Sequence, residues 1–231
     1  MSADVAKINA AAAALDFVED GMKLGLGTGS TAAHFVRLLG ERVKKGLKVV
    51  GVPTSEATET LAREVGVTIL PVDRVGTLDL VVDGADEIDP QFGLIKGGGA
   101  ALLREKIIAS AAKHFLVIAD ETKMVQTLGA FPLPVEVTPF GYALTAQHIY
   151  GVLKATGCKG REAALRERDG KPVVTDGGNY IIDCKCEAIT DPQALAFSLK
   201  TITGVVDHGL FLGMARTVIV GKAKGAEVLE R

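Results

Sequence analysis

Three stretches of this sequence concentrate groups able to hold an anion and move a proton. The first, residues 25–31, reads GLGTGST. Its glycines let the backbone approach a ligand closely, and a helix opening near Ala32 would present N–H groups and the positive end of its dipole. Thr28, Ser30 and Thr31 add hydroxyl donors around Gly29, a combination suited to a phosphate. It matches neither of the commoner nucleotide motifs. Ser30 stands where a dinucleotide fingerprint needs its last glycine, and no Gly-Lys-Ser/Thr ending closes a P-loop.

The second stretch, residues 83–89, reads DGADEID and follows the apolar run Leu80, Val81, Val82. Asp83, Asp86, Glu87 and Asp89 put four carboxylates within seven residues. Like charges so close repel one another, so a cationic or proton-donating neighbour is expected around Asp83, Gly84, Ala85 and Asp86. A divalent metal is one such neighbour, but no histidine lies in the cluster and the spacing is not that of a calcium loop. His34, His114, His148 and His208 are scattered and read as surface or packing residues, so no metal site is expected.

The third stretch, residues 96–106, reads KGGGAALLREK. Lys96 places a positive charge beside Gly97, Gly98 and Gly99, and a glycine turn opening a helix is a second anion-friendly device. Side chains on a helix lean toward its amino end, so Glu105 is expected to point back at the glycines, the placement of a general base. The plainer alternative is an ion pair between Glu105 and a neighbouring cation on a wet helix face.

These stretches need a frame. Residues 1–130 alternate apolar runs with turns and helical periods, the pattern of βα units on a parallel sheet. An opening helix is expected with Val5, Ile8, Ala12, Leu15 and Val18 on its apolar face. Strands are expected at 22–26, 48–52, 68–72, 79–82 and 115–119, so apolar that both faces must be covered. All three chemical stretches then fall after carboxyl ends of strands, the edge where open α/β sheets bind ligands. Residues 54–56 and 120–123, including Lys123, add polar groups on the same edge.

From about Phe131 the texture changes: a proline-punctuated strand, a helix over 145–155, strands at 162–167 and 180–186, and a helix over 194–201. This is the pattern of a smaller α+β (ferredoxin-like) domain at 131–205. The strand at 215–220 would return to the first sheet, making 1–130 plus 206–231 a Rossmann-like domain.

A carboxylate base, a lysine, two further carboxylates and a phosphate cradle form the set needed to interconvert an aldose phosphate and its ketose by proton transfer. Glu105 would take the proton, Lys96 would meet the enediolate oxygen, and Asp83 and Asp86 would handle the hydroxyl protons. The three stretches, in this order and spacing, resemble the signature segments of type A ribose-5-phosphate isomerases, and the likeness runs along essentially the whole chain. That resemblance implies a Rossmann-like catalytic domain, a small domain making homo-oligomer contacts (a dimer or tetramer), no cofactor, and a place in the non-oxidative pentose phosphate pathway. It implies substrate binding by Thr28, Gly29, Ser30 and Thr31, by Asp83, Gly84, Ala85 and Asp86, by Lys96, Gly97, Gly98 and Gly99, and by Lys123. Glu105 is then the proton acceptor. Lys7, on an opening helix that gives the resemblance only a weak anchor, is left outside this set, and its contact with the phosphate stays open.

Composition narrows the alternatives. In 231 residues, 26 Lys plus Arg face 28 Asp plus Glu, so there is no basic excess to neutralise a polynucleotide, and no nucleic-acid partner is expected. No run is long and apolar enough to suggest a membrane span, no leader pattern opens the chain, and a cytoplasmic location is expected. Cys158, Cys184 and Cys186 read as ordinary packing residues of a protein in a reducing compartment. A sugar-phosphate sensor on the same fold would need a DNA-reading module, and no segment is spare for one. A deaminase or acyl-CoA transferase on a similar sheet is the other rival.

Overall fold

Runs of Val, Leu and Ile too apolar to face water on either side make the central strands of this protein. Residues 3–231 are described by a computed structural model. The chain begins with α1 (Ala3–Ala14), β1 (Lys23–Leu26), α2 (Ser30–Lys44), β2 (Val50–Pro53), α3 (Glu56–Glu64), β3 (Thr68–Ile69) and β4 (Leu78–Asp83). It continues through β5 (Glu87–Ile88), β6 (Leu94–Ile95), α4 (Leu102–Ser110), β7 (Ala112–Asp120), β8 (Leu133–Val137), α5 (Tyr142–Ala155), β9 (Glu162–Leu165), β10 (Glu167–Arg168) and β11 (Lys171–Pro172). The last elements are β12 (Tyr180–Lys185), α6 (Pro192–Lys200), β13 (Val205–His208), β14 (Leu210–Phe211), β15 (Thr217–Gly221) and β16 (Ala226–Glu230).

Two compact units result. The first comprises Met1–Ala85, Arg104–Lys123 and Met214–Arg231, and the second Asp86–Leu103 and Met124–Gly213. These bounds differ from the expected 1–130 plus 206–231 and 131–205. The short strands β5, β6 and β14 form a separate three-stranded antiparallel sheet, which groups residues 86–103 with the second unit. Two-residue strands carry no periodicity by which a sequence could announce them.

The first unit is built on a seven-stranded sheet of order β16-β15-β7-β4-β1-β2-β3. All its pairings are parallel except β15 with β16. The order reverses at β1 and β4, the topological switch point of a Rossmann-like sheet. One face packs Leu24, Leu26, Leu80, Val82, Leu116 and Ile219 against Phe35, Val36 and Leu39 of α2 and the alanines of α1.

The opening helix turns a different face inward from the one expected. Val5 and Ile8 are 42% and 41% exposed, whereas Ala6, Ala10, Ala11 and Ala14 are buried. A Cβ placed on Gly221 would lie 1.8 Å from the Ala6 carbonyl oxygen, so helix backbone touches strand backbone and only small residues fit. The edge strand β16 was not expected at all. It is largely exposed and lacks an apolar run.

In the second unit, the four-stranded antiparallel sheet has the order β13-β8-β12-β9 with α5 and α6 as crossovers, the ferredoxin-like arrangement. Its core combines Leu133, Val135, Ile149, Leu153, Ile182 and Leu195 with the three free, buried cysteines. Among the described residues, no helix is long and apolar enough to cross a membrane.

At the amino edge of the large sheet, Asp79 ties three strands together. Its carboxylate accepts the Lys23 amide of β1 at 2.9 Å and the Lys113 ammonium of β7 at 2.8 Å. The hydrogen bond from Lys113 and that from the Lys23 amide hold its carboxyl below the usual value. A depressed folded-state value contributes stability above the unfolded-state value and loses it as pH falls through the folded one. Asp79→Asn is therefore expected to melt roughly 2–4 °C below the parent at pH 7, with the gap closing below about pH 4, as followed by circular dichroism.

Candidate active site

In the first unit, the predicted residues gather at the carboxyl ends of β1 and β4. Gly27 lies flat against Asp83: a Cβ there would stand 2.2 Å from Asp83 Oδ1 and 2.5 Å from its Cα, so any larger residue would push the strand ends apart. The gap is closed by Asp83, fully buried, whose Oδ1 accepts the amides of Thr28 at 3.0 Å and Gly84 at 2.7 Å. The chain then turns through Gly29, φ 111°, directly into α2, whose first turn holds Ser30 and Thr31 and no acidic residue. Gly29 and Ser30 are exposed, and Thr31 is buried. The Lys7 ammonium donates to Ser30 Oγ at 2.9 Å, so a cation stands at the positive end of α2.

The Thr28 hydroxyl has a different occupation from the ligand contact its position suggested. It donates to Ser55 Oγ at 2.8 Å and lies 2.7 Å from Thr54 Oγ1, while Thr58 donates to the Gly27 carbonyl at 3.0 Å. This hydroxyl knot ties the turn to β2 and α3, leaving the backbone around Gly29 and the groups of Ser30 facing outward.

Glu105 sits in the first turn of α4 and is 4% exposed. Its neighbour Arg104 lies 3.6 Å from Glu56 of α3. Ile108 touches β1 so closely that a Cβ on Gly25 would lie 2.7 Å from its Cγ2. The end of α4 reaches the amino edge of the sheet, where the Leu78 amide donates to the Ala111 carbonyl. The helix therefore runs against the strands, and Glu105, one turn before Ile108, stands about 4.5 Å nearer the carboxyl edge. Lys123, half-buried, follows the carboxyl end of β7, the strand beside β4.

The second unit holds the remaining predicted residues. Asp86 Oδ2 accepts the Gly98 amide at 2.8 Å, and the Asp86 amide donates to the Ile95 carbonyl. Lys96 is 2% exposed, its amide donates to Gly209, and its ammonium lies 5.5 Å from the Phe211 ring centroid. Gly98 and Gly99 are exposed, whereas Lys96 and Gly97 are buried. Contrary to the expectation, the glycines do not open α4 directly. Ala100, in the left-handed region at φ 59°, and Ala101 intervene before Leu102.

The comparisons with known proteins point the same way as this geometry. The profile of ribose 5-phosphate isomerase A (phosphoriboisomerase A) matches residues 50–225. A ribose-5-phosphate isomerase A from Maricaulis maris is 57% identical over 226 residues, 97% of each chain. The chain belongs to the ribose 5-phosphate isomerase A family. A D-ribose-5-phosphate isomerase solved in complex with phospho-erythronic acid superimposes with a TM-score of 0.92 at 45% identity, covering all of both chains. The ribose 5-phosphate isomerase from Plasmodium falciparum superimposes with a TM-score of 0.93 at 37% identity over 99% of each.

The acidic stretch of this family member is not a single charged cluster. Asp83 and Asp86 turn to the amides described above. Glu87, buried, accepts the amides of Gly129 at 2.6 Å and Phe131 at 2.5 Å. Asp89 accepts those of Gln91 and Gly93, both at 2.8 Å, closing its own turn. The repulsion expected from the sequence is relieved because each carboxylate is met by its own donors. A cavity of about 440 Å³ in the first unit, lined by Val52, Pro53, Ile69, Leu70, Ile107 and Ile108 among others, contains none of the predicted site residues.

Several contributors escaped sequence reasoning. Phe211 and Gly209 lie over 110 residues beyond Lys96, in a segment without any chemical motif. The hydroxyls of Thr54 and Ser55 were marked only as polar groups at a strand end. Because Glu87 serves the fold, Glu87→Gln is expected to cost about 1–3 kcal/mol of stability, since it replaces a charged acceptor of two buried amides. Chemical denaturation should show that loss, while turnover per folded molecule stays within about twofold of the parent.

Proposed function

We propose that this chain interconverts D-ribose 5-phosphate and D-ribulose 5-phosphate through an enediolate, without a cofactor. The observation that carries this reading is the burial of Glu105 in the first turn of α4, the turn before the one that Ile108 packs on Gly25 of β1. A carboxylate held there has a fixed direction and a relatively dry surrounding, which favours proton transfer over surface ion pairing. The phosphate is bound at the amino end of α2 by the backbone of Thr28 and Gly29, by Ser30 and Thr31, and by Lys7. Lys123 and the amides of Gly84 and Ala85 bind the sugar, as do Gly97, Gly98 and Gly99.

In the forward direction, Asp83 and Asp86 exchange protons with the ring oxygen and the anomeric hydroxyl, opening the furanose. Glu105 removes the C2 proton of the aldehyde, and the electrons move into the C1–C2 bond and onto O1. The ammonium of Lys96 balances the oxyanion. Return of the proton from Glu105 to C1, with transfer of the O2 proton to O1, gives the ketose and regenerates the Glu105 carboxylate. Atoms and electrons balance with no external oxidant.

The setting proposed is the cytoplasm and the non-oxidative pentose phosphate branch, with a homodimer or tetramer as the working form. Exposed apolar side chains on the second unit support self-association: Phe140, Leu144 and Tyr150 on or beside α5, and Phe197 on α6. Sedimentation equilibrium is expected to give a mass of at least two chains, and Phe197→Glu to lower it. A monomer at micromolar concentration would contradict this assembly.

Glu105→Gln is expected to lower kcat by about 10²–10⁴-fold while phospho-erythronic acid still binds, because shape is kept and the base is lost. With the parent enzyme in heavy water, deuterium should enter C1 or C2 during isomerisation, reduced in proportion to internal return. Near-normal turnover by the variant would assign the base to another residue. Absence of turnover by the parent would favour a sugar-phosphate sensor.

A further inference from the structure

Arg166 lies beyond every motif considered above, yet it grips the glycine loop. Its backbone extends the β9 edge, with the Arg166 amide donating to Ile181. Its guanidinium is mostly buried and bound at two sides. On one side Nε and Nη2 donate to Asp183 of β12 at 2.8 and 2.5 Å, a bidentate pair. On the other, Nη1 donates to the carbonyls of Gly97 at 2.9 Å and Gly98 at 3.1 Å.

Two consecutive carbonyls drawn to one nitrogen fix two consecutive peptide planes. In a trans peptide the C=O and the following N–H point in opposite directions. Holding the Gly97 carbonyl therefore sends the Gly98 N–H away from Arg166, and this N–H meets Asp86 Oδ2 at 2.8 Å. Holding the Gly98 carbonyl turns the Gly99 N–H away in the same manner, at a residue exposed to solvent. A cation on the carbonyl also polarises the peptide, which strengthens its N–H as a donor. Asp183 keeps the fork oriented, a task that suits Arg and not Lys, whose ammonium cannot present a planar pair of donors to the carboxylate and a third to the loop.

We propose that Arg166, braced by Asp183, is a positioning residue for isomerisation: it sets the 97–99 peptides and, through the Gly98 amide, the direction of the Asp86 carboxylate. This rests on the reading that Asp86 and the glycine loop bind the sugar. Phosphate binding at the amino end of α2 involves none of these groups, so the two are separable.

The test compares the parent with Arg166→Ala, Arg166→Lys and Asp183→Asn. Kinetics with ribose 5-phosphate are expected to show kcat lower by roughly 10- to 100-fold in Arg166→Ala, as for other misplacements of about 1 Å, with Arg166→Lys closer to Ala than to the parent. Competitive inhibition by inorganic phosphate should stay within about twofold. Millimolar guanidinium ion should restore kcat several-fold in Arg166→Ala and leave the parent unchanged. Hydrogen exchange of the 97–100 amides, measured without ligand, should quicken in that variant. A folded Arg166→Ala or, should it fail to fold, Arg166→Lys with kcat within twofold of the parent would overturn the proposal. So would unchanged exchange at 97–100, or an activity loss that only tracks the folded fraction. An inactive parent would remove the isomerase reading instead, and the exchange measurement would then decide the positioning role by itself.

Discussion

The contact on which the first unit depends is the buried carboxylate of Asp83 holding the amides of Thr28 and Gly84. It joins the ends of β1 and β4 where the strand order reverses, the one place in such a sheet where two neighbouring crossovers leave on opposite sides and open a crevice. Gly27 allows the approach because it has no Cβ to stand in the carboxylate's position. A charge taken so far from water needs donors, and the two amides on its Oδ1 come from the turns that the carboxylate organises. The group therefore shapes the two turns around the proposed site.

The same economy governs the rest of the acidic stretch. Four carboxylates in seven residues would be costly as a cluster, but each accepts a different set of backbone amides. Asp86 and Glu87 reach the glycine loop and the 129–131 turn, while Asp89 caps its own turn. Two of the four thus hold backbone in place and do no chemistry in the proposed reaction. Lys96 is almost fully buried as well, its ammonium 5.5 Å from the centroid of the Phe211 ring.

Packing in the first unit follows from close backbone approach. Alanines line the inward face of α1 because its carbonyls touch Gly221 on β15, and the bulkier Val5 and Ile8 are turned outward. Ile108 rests on Gly25 in the same way, and that contact sets the height of Glu105 above the strands. Small residues in the sheet thereby become instruments of precision for a helix that carries the proposed base.

The amino-acid sequence alone determined a great deal here: the parallel sheet through its doubly apolar strands, the smaller α+β unit through its change of texture, and the three chemical stretches through glycines and carboxylates at strand ends. These are legible because period, turn chemistry and charge are local properties. Four other matters were decided only by tertiary structure: the inward face of α1, the two-residue strands that move residues 86–103 into the second unit, the separate fates of the four carboxylates, and the grip of Arg166 on Gly97 and Gly98. Apart from the local turn that Asp89 closes, these depend on partners farther along the chain or on distances of closest approach between backbones, and neither quantity leaves a periodic or compositional mark on the chain.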